Sequence, residues 1–501
     1  MNDRILEGRA LRERLAERDS HVAARNQGDN GDESRYADKR GTYTKGLQHF
    51  PVGSVPPSYP GLVQPASYKS FKDALLSGSP SDFERILVGS PGPGSKGRLN
   101  GPQGGLALCL NGLDSSQFYT PPAPPLASLD YAVELIELYW ASLAWTVPFA
   151  NYPADATVAA AAAELTTHAA NYYGPKTPAG KVTPTLLFRG PFPGEANGPY
   201  LSQLLSLPAT FGALTIDQKY ATLQPPKQYM TTPAAYIAVQ NGGVPAYPPP
   251  GPAQAIQDGA GLAAYTHDDV LYQAYLIASQ VLATAGHPAN PGLPYLSSNS
   301  QKGFATLGGP DLAALIGLVA SESLKAVWWQ KWFVHLRHRP EEGGYLVHLQ
   351  KTAAFDPATP NPIVGTSVAV AKSAAANGGS FLLPQAFPEG SPTHAAYPTG
   401  HGAVGGACIT ILKFFWDGNV PIPGGLPGLT LDGELHKLAS NISFGHGIFA
   451  GIHWRSDTVE SIKLGEEVAL SVLEDRVQSY NEPFSVTITR LDGTPYTISN
   501  R

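Results

Sequence analysis

The chain is expected to be mostly α, a set of helix bundles with a small β appendage at its carboxy end. Three observations carry that expectation. Apolar residues recur at three-four spacing through several long segments, the mark of one buried helix face. Alternating, strand-like patterns are scarce. Gly (53) and Pro (47) in 501 residues exceed average usage without reaching a disordered composition, which predicts long, rigid loops between the helices.

In order along the chain, residues 1–40 carry 18 charged residues, nine of each sign, and read as a solvated helix followed by the polar run "NQGDNGDESR". This segment is expected to be a charged arm, not a core element. In "DYAVELIELYWASLAW" (130–145) Ala132, Leu135, Ile136, Tyr139 and Leu143 mark one helix face, and Glu134 and Glu137 among them are read as part of a solvated face. "ATVAAAAAELTTHAANYYG" is a further alanine-rich helix. "DLAALIGLVASESLKAVWWQKWFVHLR" (311–337) is long and uninterrupted, with Asp311 after Pro310 suiting its start. "GSPGPGSKGRLNGPQGG" (89–105) and "NGGVPAYPPPGP" (241–252) are expected to be loops. The final "FSVTITRLDGTPYTISN" reads as a hairpin, with two β-branched runs on either side of Asp492-Gly493. The resulting division is an arm over 1–40, one large helical domain over 41–482 with an oxyanion site in 325–460, and a hairpin tail over 483–501.

Composition excludes several function classes. A net charge of -6 over this length offers no basic face for nucleic acid. The only two cysteines, Cys109 and Cys408, lie far apart without metal-ligand spacing and are expected to be buried thiols. The charged amino terminus lacks the apolar region of a secretory signal, and no run of eighteen apolar residues follows. The expectation is a cytoplasmic protein with no membrane span.

Three stretches in the carboxy-terminal half hold polar residues that a core does not need. In "KWFVHLRHRPEE", Lys331 and Arg339 are eight residues apart, which on a continuing helix leaves both on one side. Pro340 disfavours helix at Arg339, so the helix is expected to stop there. Two converging cations suit an oxyanion, and two surface charges at a helix end are the plainer alternative. In "AAYPTGHGAVGGA", Thr399 and Gly400 fall at a helix start, where free N–H groups bind anions, and His401 stands in the first turn. A threonine cap with a solvent-facing histidine is the alternative there. The small residues that follow would let another helix approach closely. In "SFGHGIFAGIHWRSD", His453 and Asp457 are four apart on a helix, so the carboxylate can fix one imidazole nitrogen and leave the other free as nucleophile or ligand. An ordinary helix pair explains that stretch alone. The three together, in order, carry more than any one.

Lys331 with Arg339-Pro340, then "YPTGH", then a histidine with aspartate four later, resemble the three-part signature of the vanadium-dependent haloperoxidases and the type-2 phosphatidic acid phosphatases. The eight-residue spacing from Lys331 to Arg339 is similar to the bromoperoxidase branch. "ELYWASLAWTVPFANY", "LFRGPFPGEANGPYLSQLL", "TIDQKY", "KAVWWQKWFVHLRHRPEE" and "SPTHAAYPTGH" also resemble bacterial members of that branch, over residues 35–475.

The resemblance implies roles residue by residue. Lys331 and Arg339 would neutralise the oxygens of vanadate, or of phosphate in the same site. Gly400 would donate its N–H, and Thr399 stands where the family usually has serine. His401 would be the acid/base histidine, with His394 beside it as the extra histidine of bromoperoxidases. His453 would bond vanadium, or be phosphorylated in a phosphatase, and Asp457 would orient it. One position departs from the pattern. The family places a second arginine six residues before the vanadium histidine. That position is Gly447 here, with His446 just before it as a partial replacement. Arg455, two residues after His453, is expected to face elsewhere.

The activity implied is a haloperoxidase, with bromide favoured. Hydrogen peroxide, halide and a small organic acceptor would be its partners, and a homodimer or higher homo-oligomer its assembly. A soluble acid phosphatase working through phospho-His453 and an anion-binding homologue without catalysis are the alternatives. His335 and His338 beside Arg337 could also be read as a divalent-metal site, weakly, for want of carboxylates. Trp328, Trp329 and Trp332 around Lys331 suit either packing or one wall of a halide pocket.

Overall fold

A computed structural model of the chain describes residues 2–90, 97–223 and 226–500, so part of the loop expected over 89–105 lies outside the described residues. The helices that place the site are numbered here among themselves. The charged helix forms as α1, Asn2–Ser20, and most of its residues are exposed. Its far end is tied to the body by an Arg18–Asp475 ion pair and by Gln117, whose amide donates to the Asp19 and Val22 carbonyls. From Asp32 onward the polar segment is anchored, since the buried Asp32 carboxylate accepts the Leu126 N–H at 2.9 Å.

Ser128 caps α2, Leu129–Ala144, by accepting the Tyr131 N–H. Sequence reasoning failed on its acidic residues. Glu134 and Glu137 are 3% and 1% exposed, because α2 runs through the core and both carboxylates find buried arginines. A helix surrounded on all sides can carry charge inward only where the charge is paired. The long apolar segment forms α4, Gly309–Trp329, preceded by α3, Gly259–His267. Extended to His335, the α4 segment is long and apolar enough to cross a membrane by length and composition. Here it lies against α6, Gly400–Phe415, and α8, Arg455–Val477, as a core helix.

α6 and α8 pack more extensively than any other pair of elements described, and the small residues of "GAVGGA" are the reason. A Cβ added at Gly406 would lie 1.9 Å from the Ile462 carbonyl oxygen, and one at Gly465 would lie 2.0 Å from the Ala403 oxygen. The two backbones touch where no side chain intervenes. Between them in sequence lies α7, Leu431–Phe444. α5, Pro340–Thr352, begins where the proline stops the preceding segment.

Among the described residues, strand structure is limited to three two-stranded antiparallel ribbons. The terminal hairpin pairs β5, Ser485–Thr489, with β6, Pro495–Ser499, in the register Thr487 to Thr497, as expected. The other two, β1 (Ala209–Phe211) with β2 (Leu214–Ile216) and β3 (Tyr220–Leu223) with β4 (Pro250–Gln254), were not foreseen. β4 takes up the end of the segment expected to be a loop over 241–252. Cys408 is buried and Cys109 half-buried, and both are free thiols.

Candidate active site

Lys331 and Arg339 do converge, but not as residues two turns apart on one helix. After Trp329 the helix widens into a π turn, Gln330–His335, closed by Leu336 in the left-handed region (φ 46°). Arg339 is in extended geometry as the cap of α5. The chain thus turns back, and both cations reach the segment before α6. The Lys331 ammonium donates to the Ala395 and Ala396 carbonyls at 2.6 and 2.7 Å. The Arg339 guanidinium donates to the carbonyls of His394 (2.9 Å) and Ile452 (2.8 Å), to His394 Nδ1 (2.9 Å) and to His453 Nε2 (2.8 Å).

Thr399 caps α6 in extended geometry and makes no side-chain cap bond. Its hydroxyl is buried without a partner. The N–H groups of Gly400 and its successors stand at a helix start, where no carbonyl of the same helix serves them. His401 in the first turn is held by Asp269, whose Oδ1 accepts from Nε2 at 2.8 Å. Trp328 lies against His394, with ring centroids 4.8 Å apart. Trp332 packs with Tyr43 and Phe71 in the core, away from any ligand role.

His453 precedes α8 and Asp457 lies in its first turn. One Asp457 oxygen accepts from His453 Nδ1 (3.0 Å) and from the Trp454 N–H (3.2 Å). The other accepts from Arg337 (2.7 Å), which also reaches Glu134 at 2.9 Å. Because Nδ1 carries the hydrogen, Nε2 of His453 is left with its lone pair, and Arg339 donates to it. His446 lies in a second π turn, Gly445–Phe449, with its ring 3.7 Å from that of His401 and 5.8 Å from that of His453. Arg455 faces away, paired with Glu137.

The electrostatics suit an anion. Arg337 is matched by Asp457 and Glu134, whereas Lys331 and Arg339 are buried with no ion-pair partner among the described residues. Burial and then the neighbouring Arg339 hold the Lys331 pKa well below its usual value, and burial brings Arg339 down to about 10. Burial, then the nearby cations, hold His394 and His453 well below the ordinary imidazole range. Burial and the neighbouring imidazoles do the same for His446. Two unmatched buried cations, an unpartnered buried hydroxyl, a helix start and an imidazole lone pair fit a tetrahedral oxyanion such as vanadate.

A pH dependence follows. The unfolded chain protonates its histidines near about pH 6.5, while these three resist protonation in the fold. Their contribution to stability is therefore full above that pH and declines as pH falls through it. Thermal melts of the metal-free protein should show the melting temperature falling from about pH 7.5 to about pH 5. A flat profile would mean that the folded site accepts the protons.

No protein-family profile matches the chain. Curated relatives are similar over nearly its whole length. A vanadium-dependent bromoperoxidase of Corallina officinalis is 31% identical, covering 90% of both chains. One of Ascophyllum nodosum is 33% identical, covering 86% of this chain and 82% of its own. The chain belongs to the vanadium-dependent bromoperoxidase family. A solved structure of a second vanadate-dependent bromoperoxidase from Ascophyllum nodosum, described as homohexameric, superposes with a TM-score of 0.88 at 27% identity, over 99% of this chain and 90% of that one.

Within this bromoperoxidase fold, the residues singled out from sequence, Lys331, Arg339, His394, Thr399, Gly400, His401, His446, His453 and Asp457, gather around one place. Two supporting residues escaped sequence reasoning. Asp269 lies far upstream of His401 with no local pattern to flag it. Arg337 stood in view beside Arg339, but its partner Glu134 had been assigned to solvent. The divalent-metal reading finds no support: His335 bonds Thr120 at 2.8 Å, His338 stacks on Tyr131, and no group of three metal-ligating residues occurs among the described residues.

Proposed function

We propose that this chain is a vanadate-dependent haloperoxidase that oxidises halide, bromide in preference, with hydrogen peroxide, and that the oxidised halogen is passed to an electron-rich organic acceptor. The observation that carries the reading is the pair of buried cations without carboxylate partners, one of them donating to the Nε2 lone pair of His453, in a chain similar over 90% of its length to a vanadium-dependent bromoperoxidase.

Lys331 and Arg339 would hold the oxyanion by charge, Thr399 and Gly400 by an O–H and an N–H, and His453 would be bonded to vanadium through Nε2. Vanadate, when bound, supplies a Lewis acid that activates peroxide toward halide. The protein's part is positional and protonic. Asp457 keeps the His453 hydrogen on Nδ1. Asp269 holds the His401 Nε2 hydrogen, which leaves Nδ1 of His401 to take a proton from an incoming peroxide and return it to a leaving oxygen. His394, fixed by Arg339 and covered by Trp328, would border the place where halide arrives. Phosphate, equal in shape and similar in charge, would compete for the same cradle. Assembly as a homo-oligomer accords with the homohexameric relative.

Metal-free protein loaded with orthovanadate should brominate monochlorodimedone in the presence of bromide and peroxide, and phosphate should slow its reconstitution. A sample shown by vanadium NMR to hold the cofactor, yet unable to brominate, would overturn the proposal. Hydrolysis of p-nitrophenyl phosphate lost in His453→Ala would then point to the phosphatase.

A further inference from the structure

We propose that His446, delivered by the π turn Gly445–Phe449, is the additional side chain of the oxyanion cradle, and that the turn exists in this chain to place it there. The inference rests on the cofactor reading above and concerns which position completes the site.

A π turn holds one residue more than the α-helical turn it replaces, and such widenings concentrate at functional sites. Both π turns described in this protein carry a residue of the cradle. Gln330–His335 carries Lys331, with the Leu336 N–H bonded five residues back to the Lys331 carbonyl. Gly445–Phe449 carries His446, with the Ala450 N–H bonded five residues back to Gly445 and the Ile452 N–H five back to Gly447.

Sterics single out position 446 within this turn. A Cβ at Gly445 would lie 2.8 Å from Leu262 Cβ, and a Cβ at Gly447 would lie 3.0 Å from both His453 Cβ and Thr458 Cγ2. Side chains at 445 or 447 would push α3 or His453 itself. His446 instead stacks on His401 at 3.7 Å and sits beside His453. Its Nδ1 donates to the Thr266 carbonyl at 3.3 Å, since a carbonyl only accepts. The last turn of α3 and the residues just after it thus fix both stacked rings, His446 through Thr266 and His401 through Asp269.

With Nδ1 carrying the hydrogen, the neutral ring presents a lone pair at Nε2. Such a ring pairs with a protonated oxygen of a tetrahedral oxyanion, where a guanidinium would pair with an unprotonated one.

The test is binding, independent of turnover: calorimetric titration of the metal-free full-length protein with orthovanadate, read also by vanadium NMR. His446→Ala should weaken binding roughly tenfold, the loss of one hydrogen bond to a charged ligand. His446→Arg should restore or exceed the original affinity. Gly447→Arg should lose binding at least as severely as His446→Ala, because its side chain displaces His453. Circular dichroism and melting temperature establish that each variant is folded. Unchanged affinity in folded His446→Ala, or Gly447→Arg binding as tightly as His446→Arg, would overturn the inference while leaving the cofactor reading intact. Failure of the unaltered protein and of His446→Arg alike to bind orthovanadate would overturn both.

Discussion

Asp457→Asn should disable the site even though the substitution changes only one atom. Asp457 offers two acceptor oxygens to three donors: Arg337 on one, His453 Nδ1 and the Trp454 N–H on the other. An asparagine keeps one acceptor. If its oxygen faces His453, its NH2 meets the Arg337 guanidinium, donor against donor, and leaves the buried arginine with one carboxylate, Glu134, besides the Ser456 hydroxyl. If its oxygen faces Arg337, its NH2 forces His453 to accept at Nδ1. The imidazole hydrogen then moves to Nε2, which can neither bond vanadium nor accept from Arg339. Breaking a buried charge network of this kind costs about 3–5 kcal/mol. Loss of a partner that orients a metal ligand costs roughly 10–100-fold in affinity. Chemical denaturation and orthovanadate titration of the variant measure the two effects separately. Native affinity in the variant would mean that something other than Asp457 sets the His453 tautomer.

The site was legible where chemistry is local in sequence. Histidine and aspartate four apart, a threonine-glycine helix start and a lysine-arginine pair ending in proline can each be read from spacing, and the fold brings all three together, although His453 lies just before α8 and not on it. What spacing could not supply was the path of the chain between them. The reading of Lys331 and Arg339 as residues on one helical side failed because a π turn and a left-handed Leu336 intervene, and no side-chain pattern announces either. Counting six residues back from His453 pointed to Gly447 for the same reason: an inserted residue shifts the register of every position before it. The helical fold and the terminal hairpin were visible in periodicity. The two short ribbons over 209–254 were not, since strands of three to five residues show too few alternations to be told from loop.

The largest misreading, Glu134 and Glu137 as solvent-facing, leads to the second large effect. Arg455, the first residue of α8, binds both carboxylate oxygens of Glu137, one from Nε at 2.7 Å and the other from Nη2. Its remaining nitrogen donates to the Arg189 carbonyl at 2.7 Å, and the guanidinium lies over the rings of Tyr172 and Phe444. Burial opposes the charge, but the Glu137 carboxylate raises the arginine pKa above its usual value, so the guanidinium keeps its charge. It pins the start of α8, two residues after His453, to α2 and to the end of α7, where the His446 turn begins. Arg455→Met leaves Glu137 buried and unpaired, and should lose about 3–5 kcal/mol of stability. Glu137→Leu should lose a similar amount by stranding the arginine. In the double variant no charge is left uncompensated, so stability should return to within about 1–2 kcal/mol of the parent, a coupling that a denaturant double-mutant cycle reads directly. Orthovanadate affinity then decides what the pair is for. If the repacked double variant binds as the parent does, Glu137 and Arg455 serve only to hold two helices together. If it is stable yet binds weakly, the ion pair sets the position of His453, and a charge far from the oxyanion fixes the geometry of the site.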